Sequence, residues 1–126
     1  MSNGIVTGLA HIGIYVRDMD ASVDFYKRLG FSLDREVEGN VRLAFLSAGT
    51  CLLELVGRNV EPYREAGIVD HIALAVDDLD AAVAGCKQAG IEVDDSKAGG
   101  SSALGSRNLF FTGPDGERLE LYQASK

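Results

Sequence analysis

HIGIYVRDMDASVDFYKRLGF, residues 11–31, aligns without a gap on HIALAVDDLDAAVAGCKQAGI, residues 71–91. His, Ile, Val, Asp, Asp, Ala, Val, Lys and Gly recur at a constant offset of 60 (71 minus 11). A second echo trails each copy, CLLEL with Glu54 and GERLELY with Glu120, at an offset of 66 (120 minus 54). The second copy has therefore gained about six residues of loop. A repeat of this length makes the chain two copies of one structural unit. Each copy holds one His near its start and one Glu near its end. Together they supply His11, Glu54, His71 and Glu120, the kind of ligand set a divalent metal takes.

The pattern within a copy sets the order of its elements. Residues 9–16 alternate apolar and small side chains around His11 and read as a strand. Asp18 or Asp20 offers an N-cap for a helix over 21–29, with Val23, Tyr26 and Leu29 on one face and Gly30 as its stop. Residues 31–37 and 41–46 read as strands joined by a turn at 38–40. A turn at 47–50 leads into a strand over 51–56. The order is strand, helix, strand, strand, strand. Residues 58–68 are polar, contain Pro62 and read as a linker. The second unit repeats the order, with a strand over 70–76, a helix over 79–89 stopped by Gly90, and a strand over 91–94. The glycine- and serine-rich stretch 98–102 reads as a mobile loop. Strands over 108–112 and 118–123 then flank a tight turn at Gly113-Pro114-Asp115-Gly116.

At 126 residues, 46% hydrophobic and 25% charged, the chain has the size and composition of one globular domain. No apolar run reaches membrane-spanning length, and MSNGIVTG lacks the basic and apolar regions of a signal peptide, so the expected location is the cytoplasm. A net charge of −7 argues against a nucleic-acid partner, which wants clustered Lys and Arg. Cys51 and Cys86 lie in apolar contexts without metal or redox spacing and read as buried thiols in a reducing compartment.

Strand alternation puts Leu53 and Leu55 on one face and Glu54, with Leu52 and Val56, on the other. Glu120 sits likewise between Leu119 and Leu121. Taken singly, each His reads as a strand-edge residue bonded to backbone and each Glu as a solvent-facing acid. Four matched positions across a repeat point instead to one metal site. Two imidazoles and two carboxylates suit Zn²⁺, Ni²⁺, Co²⁺ or Mn²⁺ and leave positions open for substrate oxygens, which permits Lewis-acid chemistry.

The order His11, Glu54, His71, Glu120, the segment DASVDFYKRLGF and the closing GPDGERLELY resemble the vicinal-oxygen-chelate superfamily over nearly the whole chain. That superfamily groups glyoxalase, bleomycin-resistance and extradiol-dioxygenase proteins. Within it, the His/Glu/His/Glu set resembles bacterial glyoxalase I, lactoylglutathione lyase. The resemblance implies an α+β fold of two βαβββ modules in tandem, residues 7–57 and 69–124, whose mixed, curved sheets form a metal-binding cup. It implies one divalent metal per site and a hemithioacetal of methylglyoxal and glutathione, or another thiol adduct, as the small-molecule substrate. Glu120 is the implied base, moving a proton between adjacent carbons through an enediolate, with Glu54 the other acidic ligand. A homodimer is implied, with His11 and Glu54 of one chain completing a site with His71 and Glu120 of the other.

Two positions depart from the glyoxalase pattern. Tyr15 stands where the family commonly has an Arg that contacts the glutathione carboxylate, and Arg58 stands where it commonly has Asn. Both are candidate substrate-binding residues, Arg58 for an anionic group. A methylmalonyl-CoA epimerase-like isomerase fits the same metal set and the same proton chemistry. A non-catalytic, bleomycin-resistance-type protein that binds small molecules is the reading from a different class.

Overall fold

Residues 9–39, 41–57, 71–102 and 104–125 are described by the structure, a computed structural model. The chain divides into two compact units, Met1–Asn59 and Val60–Lys126. The expected linker at 58–68 lies outside the described residues.

The first unit runs β1 (Ile12–Val16), α1 (Met19–Leu29), β2 (Ser32–Val37), β3 (Leu43–Ala48) and β4 (Cys51–Gly57). Its sheet has the order β1-β4-β3-β2, with β1 parallel to β4 and the other pairs antiparallel. The helix starts where Asp18 caps it, the side chain accepting from the Ala21 amide at 3.1 Å. It stops at Gly30, whose φ of 114° lies in the left-handed region. The Phe31 amide then reaches back to the Tyr26 carbonyl at 2.9 Å and Gly30 to Lys27 at 3.1 Å, a Schellman closure. α1 packs on β2, β3 and β4. Between them lie buried Val16, Val23, Phe25, Tyr26, Ala44, Leu46, Leu53 and Leu55. The fully buried Tyr26 ring meets Phe25 and Phe31 edge-on, at centroid distances of 5.0 and 5.5 Å.

The second unit runs β5 (Ile72–Ala75), α2 (Leu79–Gln88), a short 3-10 turn (Asp95–Lys97), β6 (Gly99–Ser101), β7 (Ser106–Thr112) and β8 (Arg118–Gln123). The sheet order β5-β8-β7-β6 repeats that of the first unit, again with the first and last strands parallel. Asp78 caps α2 as Asp18 caps α1, and Ile91 N–H reaches the Cys86 carbonyl at 2.9 Å. The fold is thus α+β, two βαβββ modules in tandem, each with a mixed four-stranded sheet. Among the described residues no helix is long and apolar enough to cross a membrane.

Three local expectations are corrected. Residues 91–94 form no strand. Ile91 is tied to the end of α2, and Asp94 caps the 3-10 turn, accepting from the Ser96 amide at 3.1 Å and the Ser96 hydroxyl at 2.6 Å. The strand of that place is instead β6, inside the stretch that reads as a mobile loop. Glycine is what lets it pair: a Cβ built on Gly100 would stand 2.2 Å from the Ser106 carbonyl oxygen. The turn expected at 47–50 shrinks to Gly49-Thr50, because Ser47 and Ala48 continue β3 in register with Leu52 and Cys51.

Matched ion pairs tie each helix start to its sheet. Arg42 Nη2 lies 2.9 Å from Asp20 Oδ1, and Arg107 grips Asp80 through two bonds of 3.0 and 3.2 Å. The Arg107 guanidinium holds the Asp80 carboxyl below the usual carboxylate range, chiefly by hydrogen bonding and then by charge. A carboxyl whose value is depressed in the folded state stabilises above its unfolded value, and that contribution is lost as pH falls through the folded value. Asp80→Asn removes this dependence. Thermal midpoints measured from roughly pH 5 downward should therefore fall less steeply for the variant than for the parent protein. Parallel curves would refute the assignment.

Candidate metal centre

In each unit one sheet face is covered by the helix and the other carries the polar residues. Leu53 and Leu55 point to the helix face of β4 and are buried, which turns Glu54 to the opposite face. Register places Gly13 of β1 on one side of Glu54 and Phe45 of β3 on the other. His11 stands one residue ahead of β1, with its Nε2 3.4 Å from Glu54 Oε1. The second unit builds the same group. Glu120 of β8 lies between Ala73 of β5 and Phe110 of β7, and His71 Nε2 is 3.2 Å from Glu120 Oε1.

The two carboxylates differ in their surroundings. Glu120 is only 8% exposed, a buried acid that needs polar partners. Besides His71 it has Asn108, whose Nδ2 donates to Glu120 Oε2 at 2.6 Å. Glu54 is less covered, its side chain 22% exposed. Each imidazole meets a phenylalanine ring edge-on, His11 with Phe45 at 6.4 Å and His71 with Phe110 at 5.1 Å. The Arg118 guanidinium lies 4.1 Å from the Phe110 ring centroid, bringing a positive charge to the face that bears Glu120.

The donor set fits a divalent cation. Ligand atoms about 2.1 Å from an ion stand roughly 3.0 Å apart at a right angle and roughly 3.4 Å apart at a tetrahedral angle. The observed N···O separations of 3.4 and 3.2 Å fall in that range. Among the described residues no group of three or more His, Cys, Asp or Glu side chains gathers on one point, so each unit presents one His–Glu pair.

Of the other residues expected at the site, Tyr15 shares the exposed face of β1 with Gly13 and is 53% exposed. Arg58 lies outside the described residues. Phe45, Phe110, Asn108 and Arg118 were not legible as site residues beforehand. A signal existed for the phenylalanines, since each is followed by its glutamate at nearly the same interval in the two copies: 9 residues (54 minus 45) and 10 residues (120 minus 110). Cys51 and Cys86 are free thiols, half-buried and buried, and burial pushes both up from the ordinary thiol value, in keeping with an inert role.

The sequence profile of the Glyoxalase/Bleomycin resistance protein/Dioxygenase superfamily matches residues 8–121. The chain belongs to this superfamily. One relative, a probable lactoylglutathione lyase of Vibrio cholerae, is 33% identical over 125 residues, covering 91% of this chain and 89% of its own. A solved glyoxalase family protein from Enterococcus faecalis superposes with a TM-score of 0.79 at 28% identity, covering 93% of this chain and 98% of that one. A mutant of the fosfomycin resistance protein FosX from Listeria monocytogenes superposes with a TM-score of 0.80, covering 96% and 95%. It was solved with Mn(II) and a dihydroxypropylphosphonic acid, and at 16% identity its likeness speaks for the fold alone.

The repeat supplies its own control for the pocket wall beside Glu54. A Cβ on Gly13 would meet Glu54 Oε1 at 3.7 Å, an ordinary contact, and the second unit already has Ala73 there. Gly13→Ala should fold normally and gain about 0.4–1 kcal/mol from the stiffer unfolded chain. Denaturant unfolding checks this, and a clear loss of stability would refute it.

Proposed function

We propose that the protein is a metal-dependent glyoxalase I-like lyase that moves a proton next to a carbonyl, with a methylglyoxal–thiol hemithioacetal as its substrate and glutathione as the leading thiol. The observation that carries this reading is the duplicated His–Glu pair, with N···O distances suited to two ligands of one ion. The similarity to a probable lactoylglutathione lyase supports the same chemistry.

His11, Glu54, His71 and Glu120 would hold one divalent ion, Ni²⁺, Zn²⁺, Co²⁺ or Mn²⁺. When bound, it supplies Lewis-acid stabilisation of negative charge on substrate oxygens. Glu120 takes the proton from the substrate carbon at a carboxylate oxygen and returns it to the neighbouring carbon, while the hydroxyl proton passes to the neighbouring oxygen, so the hemithioacetal becomes a hydroxy-thioester with no atom gained or lost. Glu120 suits this role because it is largely shielded from water and fixed by two neighbours. Glu54 is the second acidic ligand. Tyr15 offers a contact surface for the substrate, and Arg58 offers a charge for an anionic group. The working unit is a cytoplasmic homodimer in which the His11–Glu54 pair of one chain meets the His71–Glu120 pair of the other.

Glu120→Gln keeps shape and an oxygen ligand but removes the base. Metal-loaded variant protein should fold and yet turn over roughly 10²-fold or more slowly than the parent. The parent is to be assayed with methylglyoxal and glutathione, with other thiols, and with methylmalonyl-CoA, under each of the four metals. Thioester formation from methylglyoxal and a thiol is expected. No turnover of any of these by metal-loaded protein would overturn the lyase reading and leave the enzyme class open. Shared sites have a separate check: inactive His11→Ala and His71→Ala proteins should regain activity when mixed and allowed to exchange subunits. No recovery would count against sites built from two chains.

A further inference from the structure

Glu54 and Glu120 occupy equivalent places in the repeat, but among the described residues only Glu120 is held at both oxygens. Asn108 Nδ2 lies 2.6 Å from Glu120 Oε2, while Glu120 Oε1 faces His71 Nε2 at 3.2 Å. A carboxylate only accepts, so the amide must present its N–H group here. Asn108 sits on β7 opposite Tyr122, one step along from the Phe110–Glu120 pair, which makes it a same-face diagonal neighbour of Glu120. Its other flank is β6, where it pairs with Gly99. A Cβ on Gly99 would stand 3.4 Å from Asn108 Oδ1, so the amide rests against a strand position without a side chain.

Among the described residues the first unit has no counterpart to this bond. Leu43 takes the matching place, opposite Val56 and one step from the Phe45–Glu54 pair. Its side chain has no donor. Among the described residues, the polar group facing Glu54 is His11 alone.

We infer that Asn108 is the positioning residue for Glu120. By occupying Oε2 it presents the carboxylate through Oε1, on the side of His71, and so sets which oxygen of Glu120 meets an ion. The two halves of the ligand set are then unequal: Glu120 is held at both oxygens, and Glu54, among the described residues, at one. The inference rests on the reading of Glu120 as a metal ligand given under Proposed function. Groups that orient ligands in this way typically govern metal affinity by about 10–100-fold.

Mn²⁺ affinity tests this, read from the electron paramagnetic resonance of the free ion in titrations of the full-length protein. Asn108→Leu copies the first unit. It should bind Mn²⁺ about 10–100-fold more weakly, measured at a temperature where the chelator-treated variant is still fully folded. Asn108→Gln, which restores an amide donor, should recover part of the loss. If the leucine variant does not fold, Asn108→Ala makes the same comparison. Affinity within about twofold of the parent in the donor-less variant overturns the inference. So does an equal loss in the leucine and glutamine variants, since a role in structure alone gives no recovery when the amide donor returns. Parent protein that takes up no Mn²⁺, Ni²⁺, Co²⁺ or Zn²⁺ overturns the metal reading itself and this inference with it. That outcome shows in the parent titration alone.

Discussion

Parallel pairing between the first and last strands of each unit is the constraint on which the rest depends. Antiparallel neighbours can be joined by short turns, but a parallel pair needs the chain to cross over and return. Here the return passes through a helix and two further strands before β4 settles beside β1, and β8 beside β5. A histidine just ahead of the first strand thereby meets a glutamate in the middle of the last, 43 residues on in the first unit (54 minus 11) and 49 in the second (120 minus 71). The helix covers one face with buried leucines and valines, and the opposite face is left to the His–Glu pair and its phenylalanine.

Duplication produced two such faces, and divergence has since made them unequal. Tyr15 faces Val56 across β1 and β4, where the second unit pairs Ala75 with Tyr122. Gly57 ends β4 where a Cβ would come within 3.2 Å of the Arg42 carbonyl oxygen, and Gln123 at the matching end of β8 accepts from the Leu79 amide at 2.7 Å to help start α2. Each change is local and leaves strand order and register intact.

What could be read in advance follows from the range of the interactions involved. The cap at Asp18, one of two candidates for the first helix, the stop at Gly30 and the facing of Glu54 are set within a few residues and stand as read, although the helix begins at Met19 rather than at residue 21. The β6 region misled because Gly99 and Gly100 carry no periodic pattern. Their strand exists through a backbone approach to Ser106 that composition does not reveal. Asn108 was silent for a similar reason. An asparagine in a strand has no local signature, and its meaning comes from a carboxylate 12 positions away (120 minus 108) on the neighbouring strand. The His–Glu pairs were legible only because the repeat states them twice.

The condition of the two cysteines has a bearing on the chemical company this protein can keep. With Cys51 and Cys86 both pushed up by burial, little of either is thiolate at neutral pH, and the thiolate is the form that attacks electrophiles. Small-molecule thiols in solution would outcompete them for a reactive aldehyde or ketoaldehyde. The two thiols should therefore add to reactive carbonyl compounds more slowly than accessible, acidic cysteines do.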